Sequence, residues 1–363
     1  PAGMISITRW TKTPPRDGLK IFATAIEALE RLGIAEPGLQ LAMIRSWNTS
    51  TLLVKNEPFS SDDIDSLKTF CKERWFDLVF YPGIEEKETN HYNQLQEAWY
   101  FEGATRMLGP ARSAFMDDYK FNIRPATDDR PYFSHFLKWQ TLPELLVLRN
   151  RGGMPLLEWG YLILIATLLQ ALLASILLVL LPLWLRRRSE GRAGRQRWRI
   201  VAYFLSIGTA FMFVEIAFIQ KFILFLHHPL YAVSVVLCAF LVFAGLGSLM
   251  SARLHKHISL IGICLAIGVL SVLYVWLLPG LFNGLVHLPG PLKIPVSILL
   301  IAPLAFMMGM PFPLGLEFVS NSLPSWIPWA WGVNGCASVV SAMLATLLAI
   351  HLGFVFVVIV AVL

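Results

Sequence analysis

The sequence predicts an open α/β sheet followed by an all-α polytopic transmembrane bundle, and three observations carry that prediction. The chain is 363 residues long and 56% hydrophobic with only 15% charged residues, too apolar for an ordinary soluble protein and too charged to lie in lipid throughout. Nearly all Asp and Glu precede residue 150, whereas long apolar runs begin near 156. The first 85 residues alternate short β-rich runs with amphipathic helical patterns. The predicted domains are therefore 1–150, a partial α/β domain, and 151–363, a transmembrane helical domain, with the boundary in KWQTLPELLVLRNRGG.

In chain order, MISITRW (4–10) is a strand-like run. Asp17 then caps a helical pattern with Leu19, Phe22, Ile26, Leu29 and Leu32 on one face, ended by Gly33. LQLAMIRSW and STLLVKN read as two strands joined by a hairpin at Asn48-Thr49. Ser60 and Asp63 open a second helix whose inner face holds Ile64, Leu67, Phe70 and Cys71, and FDLVFYPG (76–83) is a further strand. The order β-α-β-β-α-β with short connections fits an open α/β sheet with at least one antiparallel edge pair. A nucleotide or S-adenosyl site in such a sheet needs a glycine-rich turn after an early strand and an acidic residue beyond it. No such turn occurs in this sequence. The chain opens at Pro-Ala-Gly and stops inside GFVFVVIVAVL, so it reads as a piece of a longer protein. Asn48-Thr49-Ser50 matches a glycosylation sequon, a short and unspecific motif.

The segments ISITRWTKTPPRDGLKIFATAIEAL, NHYNQLQEAW and PATDDRPYFSHF resemble the later part of spermidine synthase-like domains fused to membrane helices in bacteria. Thr127-Asp128-Asp129-Arg130-Pro131-Tyr132 is similar to the run that closes those domains, and His91-Tyr92-Asn93 to a Tyr-Asn segment near the end of soluble aminopropyltransferases. The resemblance extends through GTAFMFVEIAFIQKFILFLHHPLYAVSVVL and MGMPFPLGL to WAWGVNGCASVV. It implies the later half of a doubly wound, Rossmann-like methyltransferase or spermidine synthase sheet, and a parent chain that transfers an aminopropyl or methyl group with S-adenosylmethionine or its decarboxylated form. In that family the cofactor turn and the acidic catalytic residues precede the first residue here. No cofactor-binding or catalytic residue is therefore assigned, and the chain itself is expected to bind no cofactor. The competing class is a membrane transporter or carrier whose α/β domain is inert or regulatory.

Asp128, Asp129, Arg130 and Tyr92 form a candidate polyamine-binding or domain-closing cluster. Paired carboxylates hold ammonium groups by charge-assisted hydrogen bonds. The alternative is that one Asp caps a turn and the other pairs with Arg130, fixing the domain at the membrane.

Apolar runs follow at about 157–185, 200–224, 230–250, 258–279, 294–316 and 329–350, six whole spans with a seventh begun at 353. Trp residues stand at their ends as interfacial anchors. Ala244 and Ser248, then Gly335, Ser338, Ala342 and Ala345, are small residues at spacings that suit close helix contact. MGMPFPLGL, with Gly309, Pro311, Pro313 and Gly315, predicts a broken or terminated helix. Glu215, Gln220, Lys221, His227 and His228 are the candidate intramembrane polar site. A charged side chain near the bilayer centre costs about 2.5–3.5 kcal/mol on insertion scales, so Glu215 is expected to face the bundle, within reach of polar groups on neighbouring spans, with Gly208 on the same side admitting a second backbone. Lys221 and the His pair lie near the membrane edge, where they can stay hydrated.

The net charge of +6 sits in one loop: RRRSEGRAGRQRWR (186–199) carries seven Arg and one Glu. A basic cluster confined to an inter-helix loop points to the cytoplasmic side and to anionic lipid headgroups, and not to nucleic acid. Arg253 and Lys256, two crossings later, agree. A single crossing at 157–185 then places the α/β domain outside, whereas the resemblance favours a cytoplasmic domain on a bacterial inner membrane. Cys71, Cys238, Cys264 and Cys336 show neither metal-ligand nor disulfide spacing.

Overall fold

The computed structural model describes residues 3–141, 143–144, 158–186 and 194–363. They form two compact units. The first comprises residues 1–127 and 131–159; the second comprises residues 160–363 together with the tripeptide Asp128–Arg130.

The first unit runs β1 (Met4–Trp10), α1 (Asp17–Arg31), β2 (Leu41–Arg45), β3 (Thr49–Lys55), α2 (Ser61–Arg74), β4 (Asp77–Phe80), α3 (Trp99–Leu108) and α4 (Arg112–Asp118). The β-α-β-β-α-β order holds, but the doubly wound parallel sheet does not. The strand order is β1-β3-β2-β4 and every neighbouring pair is antiparallel. The reason is the tight hairpin between β2 and β3. It inserts β3 between β1 and β2, and β2 between β3 and β4, so the same-direction strands linked by α1 and by α2 never become neighbours.

The core is built by one face of α1, with Leu19, Phe22 and Ile26 fully buried, packed on β1, β3 and α3, and by the inner strand β2, in which all five residues are buried. Each such side chain contributes about 1.5–3 kcal/mol through burial. Asp17 does not cap α1: Arg16 occupies the cap position and its side chain makes no capping bond, and Asp17 is the first helical residue, where its charge favours the positive helix end. Helix α2 begins as the sequence predicts. Ser60 Oγ accepts from the Asp63 amide and Asp63 reaches back to the Ser60 amide.

The second unit is a helix bundle. Helix α5 (Trp159–Ser175) passes through a π-turn (Ile176–Leu180) into α6 (Leu181–Arg186), and is followed by α7 (Gly194–Leu226), α8 (Pro229–Leu254), α9 (Leu260–Leu285), α10 (Gly290–Met308), α11 (Pro311–Ser322), α12 (Ile327–Leu352) and α13 (Phe354–Val362). Six stretches among the described residues are long and apolar enough to span a bilayer, from Trp159–Val179 to Pro324–Leu352. The chain is a multi-pass membrane protein in contact with the lipid bilayer.

Contacts fix the running directions. Asn334 Nδ2 donates to the Phe204 carbonyl (3.2 Å) and Ser341 Oγ to Thr209 Oγ1 (2.9 Å), so α7 and α12 lie parallel. A Cβ on Gly208 would stand 2.9 Å from the Asn334 carbonyl oxygen, which confirms the close approach expected there. The buried face of α12 is Ala330, Val333, Ala337, Ser341, Ala345 and Ala349. Of the stripe expected at Gly335, Ser338, Ala342 and Ala345, Ala345 lies on this face and the other three are offset from it, because small size alone does not say which side of a uniformly apolar helix meets a neighbour. Helix α5 is antiparallel to α12: Tyr161 OH meets His351 Nε2 at 2.8 Å near one end, and Val179 packs with Ala330 and Val333 near the other.

The predicted break is present between α10 and α11, at Gly309-Met310. It is filled. Tyr203 OH donates to the Pro311 carbonyl (2.6 Å), and a Cβ on Gly309 would overlap the Ala244 carbonyl, as one on Gly247 would overlap that of Phe306. The two glycines thus let α8 and α10 cross backbone to backbone.

Candidate functional site

The Asp128–Arg130 tripeptide sits where α12 ends and α13 begins. Gly353 separates the two helices with φ +91°, a conformation open to glycine. A Cβ there would collide with the Asp129 carboxylate. Asp129 Oδ1 accepts from the Val355 amide (2.9 Å) and its carbonyl from the Phe354 amide (3.1 Å), so a distant residue satisfies the free N–H groups of α13. Lys221 of α7 joins them, with Nζ 3.2 Å from the Asp128 carbonyl and 3.7 Å from Asp129 Oδ1.

The structure thereby brings two sequence-predicted groups together, Asp128–Asp129 with Lys221. It gives Asp129 to a helix end, while the side chains of Asp128 and Arg130 are exposed. Asp129 is matched by a cation and a backbone amide, so the two carboxylates do not form an open clamp.

Tyr92 lies in the first unit, in a different network. Asp77, buried in β4, accepts the Tyr92 amide (2.7 Å), the Asn93 amide (2.9 Å) and Arg45 Nη2 (3.1 Å). Arg45 also donates to Asn90 Oδ1 and to the Asn93 carbonyl (2.6 Å). The Tyr92 ring rests edge-on against Trp75 at 5.3 Å. This is a satisfied buried ion pair that pins the His91-Tyr92-Asn93 segment to β2 and β4.

Within the bundle, Glu215 is buried at 6% exposure and shares an α7 stripe with Gly208, Phe211 and Phe222. It faces protein, as expected. Among the described residues no donor bonds its carboxylate. Gln220 is half-buried, and His227 and His228 are exposed at the turn into α8, with His227 at φ +57°. Two turns beyond Glu215, a cleft is lined by Phe218, Lys221, Ser271, Tyr274, Phe354 and Val358. The Ser271 hydroxyl in it is buried and has no hydrogen-bond partner among the described residues.

No family model, no curated protein and no solved structure matches the chain. Chemistry therefore has to be read from the side chains. Among the described residues no group of three or more His, Cys, Asp or Glu is placed to hold a metal.

Several buried polar residues, in each unit separately, escaped the sequence reading. Lys293, in the first turn of α10, is 5% exposed and donates to the Phe225 carbonyl (3.2 Å), placing a cation at the negative end of α7. Tyr161 and His351 pair near the same end of the bundle. Lys20 of α1 is buried, donating to the His135 carbonyl (2.7 Å), with the Phe136 ring 4.8 Å away. Burial lowers its pKa from 10.5 to about 8 in spite of Glu158 and Asp17 nearby. His135 Nδ1 lies 3.2 Å from Glu158. The available signal was a basic or His residue inside an otherwise apolar pattern, as in GPLKIP, AIHLGF and GLKIFATAI. It marks burial of a polar group without naming its partner.

Proposed function

We propose that the chain is a spermidine synthase-like membrane protein whose helical unit works as a carrier for small organic cations of the polyamine class, with an α/β unit that takes no part in group transfer. The observation that carries this reading is Glu215, a buried carboxylate with no internal donor. Leaving such a group unpaired is expensive, and a fold keeps it where a proton or a cationic ligand supplies the missing partner. The aromatic rings of Phe211, Phe218 and Phe222 on the same helix suit an ammonium group, and the unpartnered Ser271 hydroxyl offers a further acceptor.

The transferase reading has less support. The described sheet is antiparallel, and Asp129 is engaged by α13 and Lys221.

Uptake of radiolabelled spermidine by proteoliposomes containing the purified chain tests the proposal. Wild type is expected to accumulate spermidine and Glu215→Gln to lose that accumulation while melting at the same temperature. Equal uptake by both proteins, or none by wild type, would overturn it.

A further inference from the structure

We infer that the α/β unit stands on the non-cytoplasmic side of the membrane, so that any small molecule it handles comes from that compartment and not from the cytosolic pool of S-adenosyl cofactors. This does not depend on the carrier reading. It rests on which end of the bundle each chain link occupies.

Helix α5 crosses once. Its first turn, at Tyr161, bonds His351 at the end of α12, and Val179 lies with Trp326 and Val333 at the start of α12. The α/β unit ends at Trp159, directly before that first turn. Its other covalent link, Asp128–Arg130, is fixed by Gly353, Val355 and Lys221 at the same end. Both links therefore leave the bundle on one side.

The opposite end is the basic one. Arg186 closes α6, Arg197 and Arg199 stand in the first turns of α7, and Arg253 and Lys256 lie at and just beyond the end of α8. The loop sequence between α6 and α7 adds Arg187, Arg188 and Arg192. At the end that holds Asp129 the basic residues are fewer: the turns at 227–228, 286–289 and 353 contain no Arg or Lys, leaving Lys221 and Lys293 within the helices and Arg130, Arg149 and Arg151 in the sequence of the links to the α/β unit. Short basic loops are retained in the cytoplasm. The Arg-rich end is then cytoplasmic and the Asp129 end is not, and the conflict met in the sequence resolves in favour of an external α/β unit.

The test is cysteine labelling of the whole chain in intact cells with a membrane-impermeant maleimide. The substitutions are Glu36→Cys in the α/β unit, His287→Cys in the turn after α9 and Lys256→Cys after α8, all at exposed positions. Wild type serves as the background: Cys71 is buried, and the other three cysteines lie in apolar helices. Glu36→Cys and His287→Cys are expected to label in intact cells, and Lys256→Cys only after permeabilisation. Labelling of Lys256→Cys with protection of Glu36→Cys would reverse the orientation. Disagreement between Glu36→Cys and His287→Cys would show that the two do not share a side, and would equally overturn the inference.

Discussion

The two units treat buried charge differently. In the α/β unit it is balanced: Arg45 lies 3.1 Å from Asp77, which also accepts two amides, and Lys20 sits within the field of Glu158 and Asp17. In the bundle, Glu215 and Lys293 are equally buried, yet among the described residues neither has an opposite charge as its partner. Lys293 leans on a helix carbonyl, and Glu215 on nothing among the described residues. A charge pair that fixes two strands is structure. A lone carboxylate in a membrane helix is costly to keep.

The largest effect that would break this comparison is at Asp77. Asp77→Ala leaves Arg45 buried without its counter-charge and removes the acceptor for the Tyr92 and Asn93 amides, which is expected to cost about 3–5 kcal/mol. Chemical denaturation of the solubilised chain, followed through the tryptophans of the α/β unit, measures it. A loss below about 1 kcal/mol would mean that the pair is no more than a surface ion pair.

Lys20 sharpens the comparison through pH. Its folded value of about 8 lies below the ordinary 10.5, so between pH 8 and 10.5 the unfolded chain binds more protons than the folded one. Stability attributable to this group therefore rises with pH across that window, by about 3 kcal/mol in all. The stability of wild type relative to Lys20→Met, followed from pH 7.5 to 10.5, should climb accordingly; a flat difference would show that the ammonium is solvated.

The smallest effects are expected in the bundle, where the sign carries the information. Glu215→Leu should stay within about 1 kcal/mol of wild type or exceed it, since no partner is orphaned. Lys293→Leu leaves the Phe225 carbonyl unsatisfied and should cost about 1–3 kcal/mol. Thermal melts in detergent compare the two. A Glu215→Leu loss as large as that of Lys293→Leu would reveal a partner for the carboxylate.

Local pattern was legible in the sequence wherever the physics was local. Ser60 and Asp63 specify the start of α2, the β-rich run MISITRW specifies β1, and the length of each apolar run gives its span. What escaped depended on residues far apart. The sheet order follows from the β2–β3 hairpin, which no strand announces by itself. The offset of the buried face of α12 follows from Phe204 and Thr209 on another helix. Glu215 was readable as an inward-facing residue because lipid excludes charge everywhere, so its burial needed no knowledge of its neighbours. Asp129 could be seen as a candidate, but its partner lies 226 residues further on.

That distance has a consequence for synthesis. Asp129 leaves the ribosome before any of the six described apolar stretches, and the amides it caps belong to α13, which follows them. Through the insertion of six hydrophobic stretches the carboxylate stays in water, and α13 has no terminal acceptor until the Asp128–Arg130 segment reaches it. Closure of this contact therefore comes after the bundle is assembled. Until then the Asp128–Arg130 segment lacks the Phe354 and Val355 amides that hold it.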